Sequence, residues 1–298
     1  MTDPIAALNA DLHCHSTRSD GTLTPPEVAE RAFDRGVELW ALTDHDDLGG
    51  QAEAAATAHQ LGMDWISGVE ISVTFARETV HIVGLGFDVD DTELNAGLAR
   101  IRKGRTQRAK DMGEGLAKAG IPGAYEGALQ FVSNPDLVSR THFARWLIET
   151  GVCSDHGGVF RRYLTPGKPG YVDHRWAGLG EAVRWITGAG GAAVIAHPAR
   201  YRFTATEEFA LFSEFKAHGG EGVEVLTSSH GQADVKKYAA MAVEFDLHAS
   251  RGSDFHSPLE SRVDLGALPA LPSGLRPIWE ALAHRVRPAA TQSAARQP

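Results

Sequence analysis

Short apolar runs of β type alternate with helical stretches along most of this chain, and that rhythm restricts the fold more than any other feature. Residues 10–12, 39–43, 65–73, 80–85, 192–196, 222–226 and 248–250 read as strands. Helices are expected over 25–35, 51–61, 180–188, 205–217, 232–245 and 275–283. The first is the best signalled. Thr24 can cap it, Pro25 and Pro26 suit its first turn, Glu27 stands at the capping-box spacing, and Gly36 follows its end. Strand–helix alternation implies an α/β fold with a mostly parallel sheet. About seven such units suggest a barrel closed, or nearly closed, on itself.

Residues 96–180 break the rhythm. They read as helices over 94–119, 125–131, 140–149 and 157–163, with little β-type sequence. They carry 13 Lys and Arg against 7 Asp and Glu, a balance of +6 in a chain of net charge −9, so the remainder stands at −15. The expected organisation is therefore an acidic barrel in two parts, 8–95 and 181–287, a basic helical insertion over 96–180, and a disordered polar tail over 288–298. Net acidity argues against a protein that coats duplex DNA. No apolar run approaches the roughly 20 residues of a membrane span. The first residues lack an apolar segment, so no signal peptide is expected. Two cysteines, Cys14 and Cys153, exclude a disulfide scaffold and place the expected setting in a reducing cytoplasm.

Polar residues cluster where the apolar runs end. His13 and His15 alternate with Leu12 and Cys14, so on a strand they share one face and can chelate a cation, while Cys14 faces a wall. Asp20 follows in Ser19-Asp20-Gly21. His45 ends the run VELWAL within Thr43-Asp44-His45-Asp46, at the carboxyl end of a strand, where barrels place their chemistry. Glu70 sits inside an apolar strand, a costly place for a carboxylate without a cation or hydrogen bonds. His81 opens HIVGLGF, His197 ends AVIAH before Pro198, and Asp254 and His256 repeat the alternate spacing. Each has an ordinary alternative, and for His81 alone a satisfied core histidine is the stronger one. Six such clusters together point to divalent metal. Nine ligands exceed the four to six that one ion takes. Two ions sharing a carboxylate, or three, would accommodate them. Three ions against Asp20, Glu70 and Asp254 would leave a +3 site that attracts phosphate and favours phosphoryl displacement.

In the order DLHCHSTRSDG, LTDHD, GVE, HIVGL, AHP and GSDFH, these motifs resemble the PHP (polymerase and histidinol phosphatase) family of the amidohydrolase-like group, over about two-thirds of the chain. The resemblance implies a distorted (β/α)7 barrel with an inserted, mostly α-helical lid and a trinuclear centre. One ion would take His13, His15, Glu70 and Asp254, a second would share Glu70 and add His81 and His197, and the third would take Asp20, His45 and His256. Manganese is the expected metal, with iron or zinc also suited to these ligands. Catalysis would run through Glu70, Asp254 and His197 by way of a metal-bridging hydroxide. The stretch RTHFARWLIETG…RRYLTPGKPGYV resembles bacterial enzymes that remove the 3′-phosphate from 3′,5′-nucleotide bisphosphates, some of which also degrade short RNA from the 5′ end. Arg140, His142, Lys168, Tyr171 and Arg200 are then the candidates for holding phosphate. Three rivals stand beside this reading. A histidinol-phosphatase-like enzyme would share the metals. A metal-dependent amidohydrolase would bridge its ions with a carboxylated lysine, but no lysine falls in an expected strand. A non-catalytic accessory module would not need the complete ligand set seen here.

Overall fold

The computed structural model describes residues 8–289. Regular structure opens with β1 (Ala10–Asp11), α1 (Pro25–Asp34), β2 (Leu39–Trp40), α2 (Gln51–Leu61) and β3 (Asp64–Trp65). The Thr24 capping box forms as its sequence requires: the Thr24 N–H donates to Glu27 Oε2 at 2.7 Å and the Glu27 N–H donates back to Thr24 Oγ1. Val28, Ala29 and Ala32 turn one face of α1 inward against α2. β1, β2 and β3 then pair in parallel, Ala10 beside Leu39 and Leu39 beside Asp64.

The larger sheet starts with β4 (Gly68–Phe75) and β5 (Glu78–Leu85). Helices α3 (Thr92–Lys118), α4 (Ala124–Leu129), α5 (Arg140–Glu149) and α6 (His156–Val159) follow, then β6 (Ala177–Gly178), α7 (Leu179–Gly188), β7 (Ala192–Ile195), α8 (Ala205–Ala217), β8 (Gly222–Thr227), α9 (Gln232–Glu244), β9 (His248–Gly252) and α10 (Ile278–Ala281). Its strand order is β6-β4-β5-β7-β8-β9. Pairings β4–β6, β7–β8 and β8–β9 are parallel, whereas β4–β5 and β5–β7 are antiparallel. The parallel rhythm is interrupted because only Ala76 and Arg77, both with positive φ, connect β4 to β5, and so short a link permits only a hairpin. The expected strand over 65–73 divides in two, since the Ile66 N–H turns to Trp40 O and Ser67 Oγ to Phe87 O. The helix expected over 275–283 is reduced to the single turn of α10.

The two sheets adjoin at both ends. Cys14 bridges Phe255 in parallel, the Leu12 N–H donates to Arg251 O, and His45 bridges Glu70. Every residue from Gly68 to Val73 is buried. Val69, Ile71 and Val73 join the main apolar core, which leaves Glu70 and Ser72 for the opposite face. A separate core, including Met112, Leu116, Phe143, Leu147 and Leu164, gathers within residues 109–164. Gly97 lets α3 lie on Trp185 of α7, because a Cβ there would meet the indole at 2.6 Å. No helix among the described residues is long and apolar enough to cross a membrane. The tail expected to be disordered lies, from residue 290 on, outside the described residues.

Candidate metal centre and adjoining cavity

Strand ends, the strands β4 and β5, and the loop bearing Asp20 carry the nine candidate ligands to one place. His13 and His15 follow β1 on alternate positions. Asp44 accepts from the Ser16 N–H, the Ser16 hydroxyl and the Ser19 hydroxyl, and so ties down the loop that presents Asp20. His197 follows β7, and Asp254 and His256 follow β9. Both His197 (φ 28°) and Asp254 (φ 54°) occupy left-handed backbone, a costly conformation outside glycine that clusters at functional sites.

Glu70 is the hub. Its carboxylate lies 2.8 Å from His81 Nδ1, 2.9 Å from His45 Nδ1, 2.9 Å from His197 Nε2, 3.3 Å from His15 Nε2 and 3.4 Å from His13 Nε2. Asp254 Oδ1 approaches His15 Nε2 at 3.4 Å, and Asp20 Oδ1 approaches His256 Nε2 at 3.4 Å. Four overlapping groups are spaced to hold a cation: His15, Asp20, His45 and His256; His13, His15 and Asp254; His13, Glu70 and His197; and His45, Glu70 and His81. Asp20 Oδ1 and His197 Nδ1 are buried without hydrogen-bond partners, and Glu70 Oε2, His45 Nδ1 and His81 Nδ1, though close, are not aligned for hydrogen bonds. Such orphaned lone pairs demand an explanation, and a bound cation supplies one.

Charge favours the same occupant. Burial opposes ionisation of Glu70, yet His81, His45 and His13 outweigh it and hold the carboxyl well below its usual range. Burial and the Arg200 charge push His197 down to about 4, so its imidazole is neutral and keeps a lone pair free. Cys14 stands apart, as its spacing implies. Trp40 Nε1–H donates to its sulfur at 3.2 Å, and burial pushes the thiol pKa up, which leaves it inert.

A cavity of about 530 Å³ opens beside these ligands. Of the five residues expected to hold phosphate, Arg140, Tyr171 and Arg200 line it. His142 and Lys168 do not. His142 is fully buried, with its Nδ1 accepting the Ser139 N–H in the cap of α5, and Lys168 lies off the cavity wall. Among the lining residues without a sequence signal are Arg105, Arg108 and Trp176. Arg105 is neutralised, donating to Asp46 and to Ser72 Oγ. Arg108 and Arg140 form no ion pair among the described residues. Burial, then the charges of Arg140 and Arg105, pushes Arg108 down to about 9. Two crowded, unpaired guanidinium groups in a concave wall form a receptor for an anion.

The helical segment also reaches the ligands. Ser139 Oγ donates to Asp20 Oδ2 at 3.2 Å, and Arg145 Nη2 donates to Asp20 O at 2.7 Å. The same guanidinium grips Glu260 at 2.8 and 2.7 Å. Burial raises the Glu260 pKa, but hydrogen bonds from Arg145 and His156 prevail and take it from 4.5 to about 2. Because the folded value lies below the unfolded one, this stabilisation is complete above pH 4.5 and is lost as pH falls towards 2. Glu260→Gln should therefore cost roughly 1.5–3 kcal/mol at pH 7, with the gap from wild type closing in acid. Denaturant melts of both proteins at pH 7 and pH 3 test this, and a gap independent of pH would refute it.

Residues 11–120 match the PHP domain family. The chain is 53% identical over 282 residues to the 3′,5′-nucleoside bisphosphate phosphatase of Chromobacterium violaceum, covering 94% of this chain and 99% of that protein. It is 42% identical over 270 residues to the 5′-3′ exoribonuclease of Haemophilus influenzae, covering 91% and 97%. Among solved structures it is similar to an amidohydrolase of C. violaceum with bound sulfate and no metal (52% identity, TM-score 0.92, covering 95% and 99%). It is also similar to a candidate metal-dependent phosphoesterase of Bifidobacterium adolescentis (26% identity, TM-score 0.79, covering 93% and 96%).

Proposed function

Since this chain belongs to the PHP domain family, we propose that it hydrolyses the 3′-phosphomonoester of 3′,5′-nucleotide bisphosphates, releasing inorganic phosphate and a 5′-nucleotide. The observation that carries this reading is adjacency: seven of the nine candidate ligands, gathered about Glu70, line one cavity together with two arginines that form no ion pair. A phosphate at the cluster leaves room for a second anion at Arg108 and Arg140. The volume, about 530 Å³, lies within the range of about 300–1,000 Å³ that small-molecule pockets span.

The ligand set fits three divalent ions, manganese first, with iron or zinc also suited. His13, His15, Glu70 and Asp254 would hold one, Glu70, His81 and His197 a second, and Asp20, His45 and His256 the third. Bound there, divalent ions polarise a phosphoryl oxygen and acidify water, an effect worth several kcal/mol. Glu70, Asp254 and His197 serve catalysis by setting that charge. Arg140, with Arg108 beside it, grips the remote phosphate, Tyr171 contributes its hydroxyl, and Trp176 holds the Arg105 and Arg108 guanidinium groups against its ring. Arg200 donates to Asp254 Oδ2 at 2.6 Å and keeps that carboxylate oriented at the cavity rim. Lys168 and His142 have no part in this assignment.

We read the strands of 8–95 and 181–287 as a distorted (β/α)7 barrel, with the contact between β1 and β9 in its support, and 96–180 as its lid, except that β6 at the end of that stretch rejoins the sheet beside β4. Arg105–Asp46 and Arg145–Asp20 tie that lid to the ligand loops. A second reading, removal of nucleotides from the 5′ end of short RNA, is supported by the exoribonuclease relative and by Arg202 on the cavity wall.

Arg140→Ala should lower kcat/KM for adenosine 3′,5′-bisphosphate about ten- to hundred-fold, the worth of one charge-assisted contact of roughly 1.5–3 kcal/mol. It should spare 3′-AMP, which lacks the remote phosphate. Equal losses on the two substrates would show that Arg140 does not read the second phosphate.

A further inference from the structure

Glu224 is a buried carboxylate, 1% exposed, in the apolar strand β8, and the chemistry above gives it no part. Both of its oxygens are engaged. Oε1 lies 2.7 Å from His13 Nδ1, and Oε2 accepts the main-chain N–H of His197 at 2.6 Å. The strand is built to aim it there. Pairing of β8 with β9 slips register between Glu224 and Leu226, a bulge of the kind that redirects side chains beside functional sites.

We propose that Glu224 is a positioning residue that presets two ligands of the metal centre at once. The proposal rests on the metal-centre reading above. By accepting a hydrogen bond from the His13 Nδ1–H, Glu224 selects the tautomer whose Nε2 lone pair faces Glu70 and Asp254, at 3.4 and 3.6 Å. By accepting the His197 N–H, it holds a residue with φ 28° and ψ 56°, ahead of Pro198, in a left-handed conformation that side chains rarely adopt unaided. His13 and His197 follow strands of different sheets, their rings 5.6 Å apart, so one carboxylate sets the spacing between them.

The substitution that isolates this role is Glu224→Gln. Two N–H groups point at Glu224, and an amide offers one acceptor and one donor. The variant must therefore leave His13 or His197 facing a donor, with shape almost unchanged. Manganese affinity of the variant should fall about 10- to 100-fold. Excess manganese should restore most of the turnover, with KM for the phosphate substrate unchanged. Calorimetric titration of metal-stripped wild type and variant with manganese chloride reads the affinity. Long-range proton–nitrogen spectra of the zinc-loaded wild type read the tautomer directly and should place the His13 proton on Nδ1. Equal manganese affinity in the two proteins overturns the proposal while leaving the metal centre standing. A His13 proton absent from Nδ1 in wild type overturns it even if the variant does not fold. Wild type that takes up no manganese, iron or zinc overturns the metal-centre reading and this proposal together.

Discussion

Glu70→Gln is expected to lower turnover by roughly 10²–10⁴-fold, the largest loss we anticipate from any single substitution in this chain. Five imidazoles approach the Glu70 carboxylate within 3.4 Å, and it belongs to two of the four ligand groups. A glutamine keeps the volume but removes the charge and one acceptor, so neither adjoining ion retains its shared ligand. If Lewis-acid stabilisation is worth several kcal/mol, losing it corresponds to that range at 1.36 kcal/mol per tenfold. Turnover has to be measured together with metal content and with melting of the stripped protein. Near-normal turnover at normal metal content would remove Glu70 from the centre of the mechanism.

Metal removal is the second large effect. Prolonged chelation should abolish phosphatase activity and lower the melting temperature by about 8–16 °C. The estimate follows from one site at a free ion concentration near a thousand times its dissociation constant, about 4.1 kcal/mol, converted at about 2–4 °C per kcal/mol. The direction follows from where the ligands originate. They come from the ends of β1, β2, β7 and β9 and from within β4 and β5, so releasing the ions leaves Asp20, Glu70 and Asp254 together without the cations they face. Adding back manganese, iron or zinc singly should restore both properties, and the ranking identifies the metal. Full activity in protein verified to be free of metal would sink the reading.

The candidate ligand cluster is legible in the sequence because most of its members stand within an apolar run or just beyond its end, where burial makes a chance polar residue costly. Glu224 obeys the same rule. Its Gly222-Val223-Glu224-Val225 repeats the Gly68-Val69-Glu70 pattern, and extending the Glu70 argument to it would have found it. The helices of both halves are legible from their spacing, except over 275–283, where only the turn Ile278–Ala281 forms. The hairpin between β4 and β5 is not, since Ala76 and Arg77 adopt positive φ without the glycine or asparagine that normally announces such a turn. Nor are Arg108 and Trp176. One lies on a long helix with many charges and the other in an irregular stretch, and only their packing brings them to one wall. His142 lies off the cavity wall for a local reason: it stands three residues after Ser139, where a side chain that can accept a hydrogen bond returns to cap the helix.

The meeting of β1 with β9 bears on how the protein is made. His13 and His15 are synthesised some 240 residues before Asp254 and His256; the Ser253 N–H bonds to Asp11 across a separation of 242. At about 5–20 residues per second, the early histidines wait roughly 10–50 s on the ribosome before their partners exist. During that interval His13-Cys14-His15 is an exposed ligand pair open to any available ion, and its final geometry cannot select among them. Selection among metals therefore waits until β9 has docked beside β1 and the candidate ligand set is complete.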